Sequence, residues 1–263
     1  MLDRIRTIID KEWHQVFKNK LVLIIAIVLP LVFVAIPISM LAIMGNVPEE
    51  ETDELLPGWQ ANPAYAGLSD SEIVQAVMVE GFQVFFLIIP LALPVSIAAY
   101  SIVGEKTTKS LEPLLATPIS VTELLIGKGL AAAIPAVGAT WISYFLYALI
   151  ARFLTSDQIY RIIVSPTWVL MILVLTPLLC ILGIGAGIIV SSRVNDPRAA
   201  EQLGSLVMLP ILVLYGVQFA GWVSINMITF LAGVGITLAM DAVVLWIGVK
   251  LFQRETILTR WSG

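Results

Sequence analysis

The chain has 263 residues, 59% hydrophobic and only 13% charged, with a net charge of −4 and a mean hydropathy of +0.95. A soluble domain of this length is about a quarter charged, so the charge here is too sparse to cover a water-exposed globule and lipid must solvate most of the chain. No polar stretch is long enough to bury a core of its own, which predicts one membrane domain over 1–263 and no nucleotide-binding domain.

The first twenty residues are amphipathic. Leu2, Ile5, Ile8, Ile9, Trp13, Val16 and Phe17 recur at helical spacing, with Arg4, Arg6, Asp10, Lys11, Glu12 and Lys18 on the other faces. This predicts an interfacial helix lying along one leaflet, with Trp13 and Phe17 among its anchoring side chains. It is either a passive surface anchor or a lever between a soluble partner and the first span. The apolar run that follows is too long for the core of a cleavable signal.

Crossing the hydrocarbon takes about 20 apolar helical residues. Six stretches qualify, at 21–44, 82–101, 129–151, 165–190, 203–222 and 226–249. Lone strands would leave backbone groups unpaired in lipid, so the fold class is an all-α membrane protein of six transmembrane helices. Prolines fall inside five of them: Pro30 and Pro37, Pro90 and Pro94, Pro135, Pro177, and Pro210. Each removes a helix donor, so kinks are expected, with the freed carbonyls satisfied by neighbouring helices.

The loop at 45–72 carries seven acids and no basic residue. It reads as a solvated connector or as an attractor of cations near an exit, with Glu80 of the next helix near the interface rather than deep in lipid. Thirteen of the fifteen Lys and Arg residues fall on the other side if the six spans alternate; Arg152 and Arg161 are the exceptions. By the positive-inside rule both termini are cytoplasmic.

Enzyme chemistry finds little support. His14 is the only histidine, which removes Ser-His-Asp triads and zinc sites of the HExxH type. Cys180 is alone in an apolar run, so no intrachain disulfide can form. Gly104 to Ser110 (GEKTTKS) lacks the second glycine of a phosphate loop and follows an apolar span rather than a strand. No catalytic or metal-ligating set is therefore expected. Asp241, in LAMDAVVLW, is either a transport-path or proton-linked acid or one paired to a donor near the inner surface. Gly183, Gly185 and Gly187 give a small-residue face for close helix contact, within the chain or at a dimer seam. Phe85 and Phe86 are open to both a pathway-lining and a packing role.

The segment IVGEKTTKSLEPLLATPISVTELLIGK, residues 102–128, is the most informative. Leu111, Leu114, Leu115 and Ile119 put apolar groups at near-helical spacing on a loop otherwise marked by Glu105, Lys106, Lys109 and Glu112, and Thr117-Pro118 ends the helix. A short exposed apolar helix needs a partner groove.

This segment resembles the first cytoplasmic loop of ABC transporter type-2 permeases, near GEKERGTLEPLLATPIS. Gly104, Glu105, Lys106 and every residue from Leu111 to Ser120 match; Thr107, Thr108 and Lys109 replace the customary charged pair and glycine. KEWHQVFKNK, SSRVNDPRAAEQLGSLVMLP and LFQRETILTRW are similar to the family's entry helix, second cytoplasmic loop and terminal segment, in order. The resemblance implies a type V exporter in a prokaryotic plasma membrane: two six-helix permeases, this chain and a second copy or paralogue, on two ABC ATPase subunits that bind ATP and Mg, with no nucleic acid involved. It implies that Leu111–Pro118 is a cytoplasmic coupling helix docking on the ATPase, with Glu105, Lys106, Leu111, Glu112, Leu114, Leu115, Thr117 and Pro118 as the coupling residues. It also implies that the first and fifth spans line the pathway. The family often has short re-entrant helices between its last two spans; the short link near 222–225 leaves that element reduced or formed from the span ends themselves. An ion-gradient carrier or a non-transporting ATPase anchor are the alternatives.

Overall fold

The computed structural model describes residues 2–44, 59–60, 65–107 and 121–251, and every regular element among them is helical. In chain order these are α1 (Leu2–Val16), α2 (Lys20–Met44), α3 (Asp70–Phe85), α4 (Ile89–Thr107), α5 (Val121–Leu154), α6 (Asp157–Ile163), α7 (Pro166–Leu170), α8 (Thr176–Arg193), α9 (Pro197–Gly204), α10 (Leu209–Phe219) and α11 (Met227–Leu251). Six helical stretches are long and apolar enough to cross a membrane: Lys20–Ile43, Asp70–Thr107, Thr122–Leu154, Asp157–Arg193, Pro197–Phe219 and Met227–Gly248. Each contains the heart of one predicted stretch. The second, third and fourth run well past their apolar limits, because the helix continues through polar residues where its ends pack on protein.

The second span is the axis of the bundle: 89% of its most apolar window is buried, against 11% for the fifth span. Helix α4 packs chiefly on α8, and also on α5, α9 and α2. The glycines of α8 explain how closely. A Cβ at Gly183 would lie 2.9 Å from the Leu91 carbonyl oxygen, and one at Gly187 would lie 2.7 Å from Ala98 Cβ. These two positions, one turn apart, let α8 lie against the α4 backbone. Gly185 faces the other way, onto Val244 of α11. The small-residue face thus serves packing within the chain on two sides at once.

The prolines are accommodated by changes of winding and by borrowed donors. Pro90 and Pro210 each follow a 3₁₀ segment, Phe86–Ile88 and Ser205–Met208, and Pro177 follows a π-helical turn, Met171–Leu175. Each irregular turn includes the residue four positions before its proline, where the ring and the missing N–H disturb the ladder. In the wide π pattern, the donor missing at Pro177 is the one due to Ile172. The Trp141 indole N–H of α5 supplies it instead, 3.2 Å from the Ile172 carbonyl oxygen. Neighbouring helices do satisfy freed carbonyls, here through a named side chain.

Substituting alanine at two glycines should have opposite effects. Gly183→Ala drives a methyl into backbone and should lower the unfolding midpoint in detergent, overpacking costing about 1–3 kcal/mol. Gly138→Ala of α5, where nothing lies within 4 Å, should hold or raise it, by up to about 1 kcal/mol of helix propensity. Differential scanning fluorimetry of the two variants checks this.

Candidate functional site

Helix α1 does not lie free on a leaflet: it docks lengthwise on α5. The two run side by side in the same direction, matched in register. Arg4 Nη1 lies 3.7 Å from Glu123 Oε2, Ile8 covers Gly127, where a Cβ would come within 2.7 Å of the Ile8 side chain, and the Trp13 Nε1–H donates to the Ala131 carbonyl at 2.9 Å. The last contact has a backbone cause. Pro135 sits inside α5, and Ala131 is the residue whose carbonyl a normal residue 135 would bond. Trp13 fills that vacancy, so the indole expected to anchor in lipid is also a helix donor. Phe17 is half-buried beyond it.

The buried stripe of α1 is Ile5, Ile8, Glu12 and Val16. Glu12, expected on an outward polar face, is only 1% exposed. The reason is Lys128, an equally hidden lysine on α5. Its Nζ lies 2.6 Å from Glu12 Oε1, 2.9 Å from Glu105 Oε2 on α4, and 2.6 Å from Ser101 Oγ on α4. Its ammonium donates to the Glu12 and Ser101 oxygens, and the Glu105 carboxylate adds an ion pair. Ser101 in turn donates to the second oxygen of Glu12 at 2.6 Å, and Lys11 lies 2.9 Å from Glu105 Oε1. Two carboxylates and two ammoniums thus balance, with three helices represented.

Around Lys128 a charge left unpaired at this depth would cost about 3–5 kcal/mol, so each member holds the others in place. A cleft of about 230 Å³ opens beside the network, lined by Gln15, Val16, Asn19, Tyr100, Ser101, Gly104 and Glu105. On its other flank α4 is tied to α8 and α9: Lys106 Nζ donates to the Ser192 carbonyl at 3.4 Å, and Ser96 Oγ donates to Glu201. This arrangement can hold helices together and transmit force.

Glu105 and Lys106 thus fall on the last turns of α4, both engaged. Leu111, Glu112, Leu114, Leu115, Thr117 and Pro118 lie outside the described residues, as do the terminal LFQRETILTRW beyond Leu251 and most of the acidic loop. The described chain leaves at Thr107 and returns at Val121, so the ends flanking that segment are the ones carrying Glu105 and Lys128. Asp241 is buried on α11, and neither carboxylate oxygen has a hydrogen-bond partner among the described residues.

At the opposite end, Glu80 is enclosed by protein. Tyr65, outside the spans, inserts its ring into the core and donates to Glu80 Oε2 at 2.7 Å. Burial first, and then the carboxylate beside it, push the Tyr65 phenol well above its usual range. One turn along, Gln83 Nε2 and the Tyr144 hydroxyl both donate to the Ile163 carbonyl that ends α6, at 2.9 and 2.7 Å. Phe86 is fully buried against Tyr144 and Tyr147, whereas the Phe85 ring sits between Phe33 of α2 and Tyr215 of α10.

The sequence put Glu12 on a polar face and Lys128 among the basic residues of one side, and gave no sign of Ser101. One signal was available: Glu12 continues the spacing of Ile5 and Ile8, so it stands on the apolar stripe, where an acid needs a buried cation.

The Trp13–Pro135 relation gives a cycle to measure. Trp13→Phe should lower the unfolding midpoint, since leaving the Ala131 carbonyl unpaired costs about 1–3 kcal/mol. In a Pro135→Ala background, where the helix supplies its own donor, the same change should cost clearly less. Equal losses in both backgrounds would show that the indole N–H does not serve that carbonyl.

No curated protein matches the chain. A family model described as ABC-2 family transporter protein matches residues 6–240, a stretch that runs from within α1 through the first five spans into the sixth and includes the segment between α4 and α5. Members of that family are non-catalytic permease components, which generally work with separate ABC ATPase subunits. The chain belongs to the ABC-2 family of membrane transporter proteins.

Proposed function

We propose that the chain is the permease subunit of an ATP-driven exporter, working as a dimer with a second copy or a paralogue on two ABC ATPase subunits that hold ATP and Mg. The observation that carries this reading is the family match across 6–240, joined to the position of the 108–120 segment between two helix ends that share one buried charge network. The chain forms one permease domain in a prokaryotic plasma membrane, and its basic end faces the cytoplasm with both termini. Leu111, Leu114 and Leu115 then meet an ATPase groove, with Glu112, Thr117 and Pro118 shaping the short helix and Glu105 and Lys106 anchoring its entry.

Nucleotide acts by favouring one arrangement of the ATPase pair over another, and only that differential binding can move the spans. The first and fifth spans are among the least buried in the protomer, which suits surfaces that meet a partner and line a pathway. Asp241 belongs to this reading as a candidate pathway acid. A non-transporting anchor would share the docking helix but would show no substrate-stimulated ATP turnover.

Leu111→Asp plus Leu115→Asp should abolish the effect of the permease on ATP turnover, measured on the purified permease–ATPase complex in lipid nanodiscs. Unchanged turnover with the complex intact on size exclusion would count against the coupling role.

A further inference from the structure

We infer that α1 and the α4–α5 pair form one rigid joint, pinned by Lys128, through which displacement of the 108–120 segment is passed to the first span. The inference rests on the exporter reading for the source of the displacement, but its geometry is independent of it.

Both helix ends that flank the 108–120 segment grip the same partner. Glu105, near the end of α4, takes Lys11 of α1 and Lys128 of α5; Lys128, two turns into α5, takes Glu12 of α1. A push on the segment therefore reaches α1 from two sides. The grip is distributed along α1: Arg4 on Glu123, Ile8 over Gly127, Glu12 on Lys128 and Trp13 on the Ala131 carbonyl. Contacts spread over three turns resist rolling as well as sliding. They include a directional hydrogen bond to a carbonyl that the α5 proline leaves open.

The output side is equally direct. Between Val16 and Lys20 the backbone makes one tight turn, closed by the Asn19 N–H on the Val16 carbonyl at 3.0 Å, and the Asn19 side chain accepts from the Leu21 N–H at 3.0 Å. The Leu23 N–H already bonds the Asn19 carbonyl. No slack separates α1 from α2, so α1 cannot turn without moving the start of the first span. Lys128 is a positioning residue in this scheme. It touches neither nucleotide nor cargo, and acts by keeping α1 in register with α5.

Nucleotide-dependent distances in the permease–ATPase complex test this, with Cys180 replaced by Ser and spin labels on exposed positions. Vanadate trapping should shift the Thr7–Gln158 distance, from α1 to the opposite end, while the Thr7–Thr122 distance within the joint stays constant. Lys128→Met should shrink the first shift at least roughly twofold and broaden the second distribution. A Thr7–Thr122 distance that changes with nucleotide, or a full shift in Lys128→Met, overturns the joint. Should Lys128→Met fail to fold, the Ile8→Cys plus Gly127→Cys pair serves independently. Oxidised to a disulfide, it should leave ATP turnover of the complex intact, and an arrest reversed by reductant overturns the proposal. A still α1 alongside a turnover response to the Leu111 and Leu115 changes rejects the joint and spares the exporter reading; silence in both rejects the two together.

Discussion

A buried ammonium needs opposite charge and hydrogen-bond acceptors around it, and Lys128 finds both on two different helices. Everything at the basic end follows from that requirement. Glu12 can leave water only because Lys128 waits for it, and Glu105 can do so only because Lys128 and Lys11 share its two oxygens. An apolar contact of equal area would tolerate a helix sliding past its neighbour. A buried charge cluster holds its members to specific distances, so it fixes register as well as adhesion. The amphipathic segment that begins the chain is consequently part of the bundle.

The same accounting of donors and acceptors governs the backbone. Prolines in the third and fourth spans each leave a carbonyl without its amide, and in both cases an indole from another helix takes the place of the missing N–H: Trp13 at Ala131 and Trp141 at Ile172. In hydrocarbon no water could do this. Tryptophan suits the task, having one donor, no acceptor to satisfy, and a large apolar body to bury around it. Irregular helices in this protein are therefore joints between helices, stabilised by the very defect that would weaken them alone.

Much of the architecture was legible in the amino-acid sequence. The six spans follow from runs of apolar residues that have no alternative in lipid, and the family from the contiguous match of Leu111 to Ser120. What escaped was pairing across distance. Glu12 and Lys128 are separated by 116 positions, and periodicity reports only which face a residue shares, never what meets it. Lys128 looked like one more basic residue at a membrane boundary. The enclosure of Glu80 could not be read either, because the insertion of Tyr65 beside it is a tertiary event within a segment whose composition reads as solvated loop. The glycines of α8 could be assigned to close packing but not to a partner; the backbone of α4 on one side and Val244 on the other decide that.

The wide turn at Met171–Leu175 sets the phase of everything on either side of it. A π turn holds roughly one residue more than an α turn, and one residue is worth about 100° of rotation. Deleting a single residue there would return the turn toward α winding, yet it would twist α7 and Trp168 away from their neighbours relative to Gly183 and Gly187. The extra residue thus sets the azimuth at which the α7 half of this span meets its neighbours.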